Sequence, residues 1–216
     1  VLQEAADHSV PIIQRVRYLG IFSSNLDEFF RVRVADVKRL VAFSSGSKKA
    51  QHTELLEKIM ARVQQLQAAY DSTYQAILKE LRKRKIYLIS EMQLTPKQSN
   101  FVWTYFESKV LPELSPMMVS DKKNFPFLKE GSIYFAVKIV HKKQVSYAVL
   151  EIPSNRLGRF TRLPSRSKGR ERVFITLDNI IRHCLQDVFM GALPIDSIEA
   201  YTIKIPRDQE LDQGEA

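Results

Sequence analysis

Asn25 is the residue whose type and position most directly indicate ligand chemistry. An α-helix turns about 100° per residue, so Asn25 projects about 140° from the centre of the apolar stripe around it. Asparagine is a mediocre helix former because its amide competes for backbone hydrogen bonds. An asparagine that lies mid-helix and outside the core is therefore a candidate for binding a ligand. A solvated polar residue is the alternative reading.

The histidines, the cysteine and the adjacent acidic residues do not form a catalytic or metal-binding pattern. The four histidines are scattered, and none has metal-ligand spacing from another His or from the cysteine. His183 and Cys184 are adjacent, so on a helix they diverge by about 100° and cannot face each other. The same angle separates Asp27 from Glu28, which therefore cannot share a proton. The glycines also lack the spacing of a phosphate-binding loop. The sequence predicts no nucleophile, general base or metal site.

Two long helices are predicted to position Asn25. The first runs from Ile12 to Val41, and the second runs from about Thr53 to Arg84, where apolar residues recur at spacings of three and four. The connection between them is a short polar loop around Gly46, so the helices should pack as an antiparallel pair. The stripe of the first helix comprises Ile12, Val16, Leu19, Leu26, Phe30, Val34, Val37 and Val41.

The pattern changes to alternation from Phe125 onward. Residues 133–140 and 145–152 alternate with period two around a turn at Lys142–Gln144, which predicts a β-hairpin. Further strands are predicted at 159–163, 173–176 and 198–205, and a helix N-capped by Asp178 follows the second of these.

The fold class predicted is α+β, with an N-terminal antiparallel helical bundle followed by a smaller mixed domain of antiparallel strands and a helix. We expect a helical domain at 1–112, an α+β domain at 125–208 and a disordered acidic tail at 209–216. The chain has 216 residues and does not begin with Met, so it is expected to be a piece of something longer.

Basic residues give the chain a net charge of +9, which favours polyanionic partners. Cations in the last turn of a helix also interact favourably with its macrodipole, and a basic loop is often simply solvated. A structural role and polyanion binding therefore both stay open for these residues. The candidate polyanion contacts are Arg82, Lys83, Arg84, Lys85, Arg166, Lys168 and Arg170.

Residues 15–35, which read RVRYLGIFSSNLDEFFRVRVA, resemble the N-terminal signature of bacterial polyphosphate kinases. The segments GSIYFAV at 131–137, YAVLEIP at 147–153, LDNIIRHCL at 177–185 and EAYTIKIPRD at 199–208 resemble that family too. The resemblance covers nearly the whole chain. One departure is Ser24, which replaces the first of two paired asparagines in the family signature. The second is retained as Asn25.

The resemblance implies that Asn25 contacts the ATP nucleotide. It also implies a cytoplasmic, homodimeric phosphoprotein that reversibly transfers the terminal phosphate of ATP to polyphosphate, with Mg²⁺ in the full-length enzyme. The family's phosphorylated histidine lies in C-terminal domains, so this non-catalytic portion would contribute to nucleotide binding and dimerisation. It should be inactive alone, and no cofactor is assigned to it by itself.

Two other functions compete with this one. A basic module that binds nucleic acid or another polyanion fits the net charge, but no aromatic stacking residues are interleaved with the basic clusters, which disfavours nucleic acid. A pure oligomerisation scaffold is the other alternative. No apolar run approaches the roughly 20 residues of a membrane span, although the positive charge leaves association with a membrane surface open. One cysteine fits a reducing cytoplasm.

Overall fold

The computed structural model describes residues 1–119, 125–166, 171–190 and 194–205. They form two compact units, a helical unit up to Arg84 and a mixed unit from Lys85 to Ile205. An all-helical unit followed by an α+β unit confirms the predicted fold class. The division lies earlier than the predicted boundary at 112–124, because the helix after residue 95 packs in the core of the mixed unit.

The helical unit is built from four α-helices and one short π-helical segment. The segment Phe30–Val34 joins the second and third helices without a break, so the predicted long helix is continuous but not purely α-helical. The fourth helix begins at Gly46, so the predicted loop there shrinks to Ser44 and Ser45. The α-helices are α1 Leu2–Ala6, α2 Ile12–Phe29, α3 Ala35–Phe43 and α4 Gly46–Lys83.

A buried arginine organises the core of the helical unit. Arg15 is 1% exposed, beside a cluster of buried Ala5, Ile12, Leu19 and Ile77. Its Nε donates to the Ala5 carbonyl at 2.8 Å, and its Nη1 donates to Glu80 Oε2 at 2.7 Å. Arg15 thereby ties α1, α2 and α4 together.

The described residues of the mixed unit form two sheets and four α-helices, besides short 3-10 and π-helical segments. A three-stranded sheet has the order β1-β6-β5, with β1 and β6 parallel and β5 and β6 antiparallel. An antiparallel four-stranded sheet has the order β2-β4-β3-β7. The strands are β1 Ile86–Ile89, β2 Met117–Val119, β3 Tyr134–His141, β4 Gln144–Glu151, β5 Phe160–Leu163, β6 Arg172–Thr176 and β7 Ser197–Ile203. The helices are α5 Pro96–Tyr105, α6 Ser154–Leu157, α7 Leu177–His183 and α8 Leu185–Phe189.

The predicted hairpin is present as β3 and β4. Its two turn residues, Lys142 and Lys143, both have positive φ, 45° and 67°. Positive φ at both central residues is typical of the tight type I′ turn, whose twist matches that of the strands. The register follows, with Tyr134 opposite Glu151 at one end and His141 opposite Gln144 at the other.

Capping residues fix the start of α5. The Thr95 hydroxyl accepts from the Gln98 backbone N–H at 3.3 Å, and Gln98 Oε1 accepts from the Thr95 backbone N–H at 3.2 Å, which forms a capping box. Gln98 is buried and donates from Nε2 to the Pro164 carbonyl. The predicted N-cap Asp178 is wrong, because α7 begins at Leu177 and its N-cap is Thr176, two residues earlier.

Candidate functional site

A groove of about 400 Å³ lies between α2 and α4 in the helical unit. Its volume is within the range of small-molecule sites in proteins, about 300–1,000 Å³. Its walls are mostly apolar, with an amide and two cations among the lining side chains. The residues that line it are Phe22, Asn25, Leu26, Phe29, Lys58, Ile59, Arg62, Val63 and Leu66.

Helical periodicity explains why these residues share one groove. On α2 the lining residues follow Phe22 at spacings of three, four and seven. On α4 three of them follow Ile59 in the same way, and Lys58 lies one turn before Arg62. Residues at these spacings form one face of a helix. The two faces meet because the connection at Ser44 and Ser45 is short enough to bring α4 back alongside α2 and α3. There, the Ser44 hydroxyl lies 3.0 Å from His52 Nδ1.

Aromatic contacts fix both ends of the α2 wall. The Phe22 ring stacks on Tyr70 with centroids 5.6 Å apart and an interplanar angle of 27°. The Phe29 ring meets Phe30 edge to face at 6.3 Å. Phe30 is the first residue of the π-helical segment, and π-helical turns often mark functional positions.

Asn25 is exposed, as the sequence predicts, and it lies on the rim of this groove. The buried stripe of α2 is rotated from the predicted one. Val16 is 41% exposed, whereas Arg15 is buried and Phe22 and Phe29 face α4. This rotation, roughly 50° on a regular helix, places Asn25 at the edge of the packed face instead of far from it.

Lys58 and Arg62 line the groove from α4, and the sequence did not single them out. Lys58 Nζ pairs with Glu54 Oε1 at 2.6 Å, and this contact lowers the pKa of the Glu54 carboxyl. Arg62 Nη1 donates to Gln65 Oε1 at 3.0 Å. The only signal in the sequence is their spacing of one turn beside the apolar positions Ile59 and Val63.

The predicted polyanion contacts lie elsewhere. Arg82 and Lys83 are exposed in the last turn of α4, and Arg84 caps that helix while pairing with Glu80 at 3.0 Å. In the mixed unit, Lys85 is exposed with φ of 60°. Arg166 is exposed there as well, and its Nη2 donates to the Gln93 carbonyl at 2.8 Å. The remaining two, Lys168 and Arg170, lie outside the described residues.

Cys184 and His183, which are adjacent in sequence, have separate surroundings in the described part of the mixed unit. Cys184 is buried, which raises the pKa of its thiol to about 12 and keeps it protonated at neutral pH. His183 Nε2 lies 2.8 Å from the Ser99 hydroxyl, a contact between α7 and α5. Within the part of the chain that the structure describes, no three His, Cys, Asp or Glu side chains are placed to hold a metal ion.

A second groove of about 520 Å³ lies between α7, α8 and β7. Its arginine, Arg182, has a structural role. Its guanidinium lies 4.7 Å from the Phe135 ring centroid, and it donates to the Ala200 carbonyl and the Thr202 hydroxyl. These contacts hold α7 against the four-stranded sheet.

Two family comparisons match the chain in sequence order. Residues 1–89 match the family described as "Polyphosphate kinase N-terminal domain", and residues 97–216 match "Polyphosphate kinase middle domain". The chain belongs to the polyphosphate kinase family. The division between the two matches falls close to the boundary between the helical and mixed units.

Polyphosphate kinases of several bacteria are similar to nearly all of the chain. The enzyme of Vibrio vulnificus is 41% identical over 216 residues, which is 98% of this chain and 31% of the relative. The enzyme of Escherichia coli K12 is 41% identical over 214 residues with the same shares. The chain thus spans about a third of the length of these relatives.

The fold is also found in a solved member of the family. The crystal structure of polyphosphate kinase from Porphyromonas gingivalis matches with a TM-score of 0.82 and 31% sequence identity, and the match covers 96% of this chain and 31% of that one. Separately, no helix among the described residues combines the length and the hydropathy needed to cross a bilayer.

Proposed function

We propose that this chain is part of a polyphosphate kinase that reversibly transfers the terminal phosphate of ATP to polyphosphate, and that its helical unit binds the ATP base. The observation that carries the proposal is the apolar groove with the Asn25 amide on its rim. A purine base has flat apolar faces and a polar edge. The aromatic and aliphatic walls suit the faces, and an amide can both donate and accept at the edge.

The chemistry of transfer needs groups that the described residues do not bring together. The family resemblance assigns the phosphorylated histidine to C-terminal domains. The role of this chain is therefore to bind and orient ATP, and the complete kinase is the phosphoprotein. Holding a reactant in the right geometry is itself a large part of catalysis, because it removes the entropic cost of bringing the groups together.

The resemblance extends the proposal to Mg²⁺ and to partners. The described residues do not fit a magnesium site, since they lack a cluster of acidic or histidine ligands. Mg²⁺ commonly binds through substrate phosphates and one or two carboxylates, and in the complete kinase it would accompany ATP. We also propose a cytoplasmic homodimer in which the mixed unit contributes dimer contacts.

The test is Asn25→Ala in the complete kinase. Removing one neutral hydrogen bond costs about 0.5–1.5 kcal/mol, so the KM for ATP should rise about two- to twelvefold. Ser24→Ala is the matched control, because Ser24 is the exposed neighbour and does not line the groove. A KM for ATP unchanged by Asn25→Ala, in a variant with wild-type circular dichroism, would show that the base does not bind here.

A further inference from the structure

We infer that the outer face of the three-stranded sheet binds single-stranded nucleic acid, with aromatic rings stacking on bases and arginines contacting phosphates. We call this surface the aromatic–arginine face, and its residues are Phe160, Arg162, Arg172 and Phe174. It belongs to β5 and β6 of the mixed unit, whereas the groove that would take the ATP base lies between α2 and α4. Nucleic-acid binding is therefore a further function, and it does not depend on the ATP site.

Strand alternation puts these four side chains on the same side of the sheet. Successive residues of a strand point to opposite faces. Leu163 of β5 belongs to the hydrophobic core, as do Val173 and Ile175 of β6. The residues that alternate with them therefore point away from the core, and the aromatic–arginine face occupies those positions.

The strand register places the two rings close to each other and beside an arginine. Arg162 is the partner of Phe174. Phe160 is the partner of Thr176, which makes it the diagonal neighbour of Phe174. Diagonal neighbours on one face of an antiparallel pair are about 7–8 Å apart. In RNA-recognition motifs, aromatic residues on the face of a β-sheet stack two or three bases. The aromatic–arginine face offers two rings for the same purpose.

The rings and the cations are accessible to different degrees. Phe160 is 60% exposed, and both arginines are exposed. Phe174 is half-buried on the central strand, between its partners Leu88 and Arg162. Phe160 therefore supplies the more accessible ring, and a surface substitution there should disturb folding little.

Positive charge accumulates on this face without acidic residues in its strands. The sequences of β1, β5 and β6 contain no Asp or Glu. Among the described residues, neither Arg162 nor Arg172 forms an ion pair. The Arg172 backbone N–H donates to the Lys85 carbonyl at 2.9 Å, which places Lys85, an exposed cation, next to Arg172. A chain of phosphates would gain by neutralising these cations, because binding releases the counterions of the nucleic acid.

The rings distinguish nucleic acid from other polyanions. Polyphosphate would meet the arginines but has no flat group to stack on phenylalanine. Every base can stack on an aromatic ring, and arginine can bind a phosphate through two N–H bonds. The basic clusters singled out in the sequence are not interleaved with aromatic residues, but the pairing of β5 with β6 supplies that arrangement from two separate segments.

The test measures binding of labelled oligothymidylate and oligouridylate to the complete kinase by fluorescence anisotropy. Phe160→Leu and Phe160→Tyr are compared with the wild type. Leucine keeps an apolar side chain but removes the ring, whereas tyrosine keeps the ring. Loss of one base–aromatic stack at an exposed site should raise the Kd by about fivefold or more, which is the lower end of the usual effect. Phe160→Tyr should bind like the wild type.

Two further measurements separate the rings from the charge. An abasic oligonucleotide keeps the phosphates but has no base to stack, so the wild type should bind it more weakly, and Phe160→Leu should bind it as the wild type does. Arg162→Gln should reduce the slope of log Kd against log salt concentration by about 0.7, because one phosphate contact with a single strand is lost. Lys109→Gln should leave this slope unchanged, since Lys109 is exposed in the segment Phe106–Val110, outside the face.

Tyr147→Leu is the control for the ring, because Tyr147 is 54% exposed on β4 of the other sheet. Absence of binding to both oligonucleotides would overturn the proposal, as would equal weakening by Phe160→Leu and either Phe160→Tyr or Tyr147→Leu. Equal affinity of the wild type for the abasic and the intact oligonucleotide would also overturn it, because charge alone would then explain binding. Asn25→Ala should raise the KM for ATP and leave oligonucleotide binding intact, so the two proposals can fail separately.

Discussion

Arg15→Met is the most severe test of whether the buried contacts of Arg15 stabilise the helical unit. Arg15 is the most deeply buried charge described, at 1% exposure, and it donates to both the Ala5 carbonyl and the Glu80 carboxylate. Methionine keeps a long unbranched side chain in place of the aliphatic stem, but it removes every donor. The substitution therefore deletes the polar link between α1, α2 and α4 while it preserves most of the volume.

The expected cost follows from the partners that are left behind. Breaking a buried ion pair by removing one partner costs about 3–5 kcal/mol. The carboxylate that remains is partly exposed and keeps Arg84 at 3.0 Å, so the cost should be at the lower end, about 3 kcal/mol. For a unit of this size each kcal/mol lowers the melting temperature by about 4–8 °C, so the helical unit should melt more than about 10 °C earlier.

Urea unfolding followed by two probes measures this loss. The only tryptophan, Trp103, lies in α5 and reports on the mixed unit, whereas far-UV circular dichroism is dominated by the long helices of the helical unit. We expect the circular dichroism midpoint to move to lower urea while the fluorescence midpoint stays in place.

Arg17→Met is the control, because Arg17 is exposed on the same helix two residues away. Equal midpoints for the two variants would refute the idea that the Arg15 contacts stabilise the fold. A fluorescence transition that moved as far as the circular dichroism transition would show that the effect is not confined to the helical unit.

Two further predictions concern the turn of the β3–β4 hairpin. Replacing Lys142 with Asn and Lys143 with Gly should stabilise the mixed unit by about 1 kcal/mol, because both positions have positive φ. The midpoint of urea unfolding followed by tryptophan fluorescence should therefore rise. An unchanged midpoint would argue against backbone strain at these two positions. The second concerns pH: Asp196 Oδ2 accepts from the Lys142 backbone N–H at 2.7 Å, which holds the pKa of this carboxyl below its usual 3.8. The hydrogen bond should therefore stabilise the fold fully above about pH 4, and this contribution should be lost as the pH falls through the lowered pKa. Asp196→Asn should be less stable than wild type at neutral pH, and the difference should shrink as the pH falls through the lowered pKa; a difference that stayed the same in acid would contradict this.

Local periodicity predicted the elements that depend on neighbours in sequence. The two long helices and the hairpin were predicted because their apolar spacing is regular over many residues. Parallel pairing of β1 with β6 was not predicted, since the partners Ile86 and Arg172 are far apart in the chain and neither strand is long. The boundary between the units was also placed too late, because an amphipathic helix such as α5 can pack on a sheet as well as on another helix.

Only part of the candidate site could be predicted from sequence patterns. A polar residue such as Arg15 is ordinarily expected on the surface, although here it is buried. Because the predicted stripe of α2 counted only apolar residues, it was displaced toward Val16. Asn25 was identified from its position in the helix and from the family signature. Lys58 and Arg62 could not be distinguished from the other cations of α4, because only the packing of α2 alongside shows which of them line a groove.

The π-helical segment Phe30–Val34 determines how the first long helix responds to the deletion of one residue. A π-helical turn holds more residues than an α-helical one, so deleting a single residue here could be absorbed by reverting to a regular α-helix. The side chains on either side would keep their orientation, because the wider turn advances through nearly the same angle with one residue more. A one-residue deletion here should therefore leave a well-folded rod with Asn25 still beside α4, whereas a deletion between Asn25 and Phe30 in regular α-helix would turn Asn25 by about 100° relative to α3.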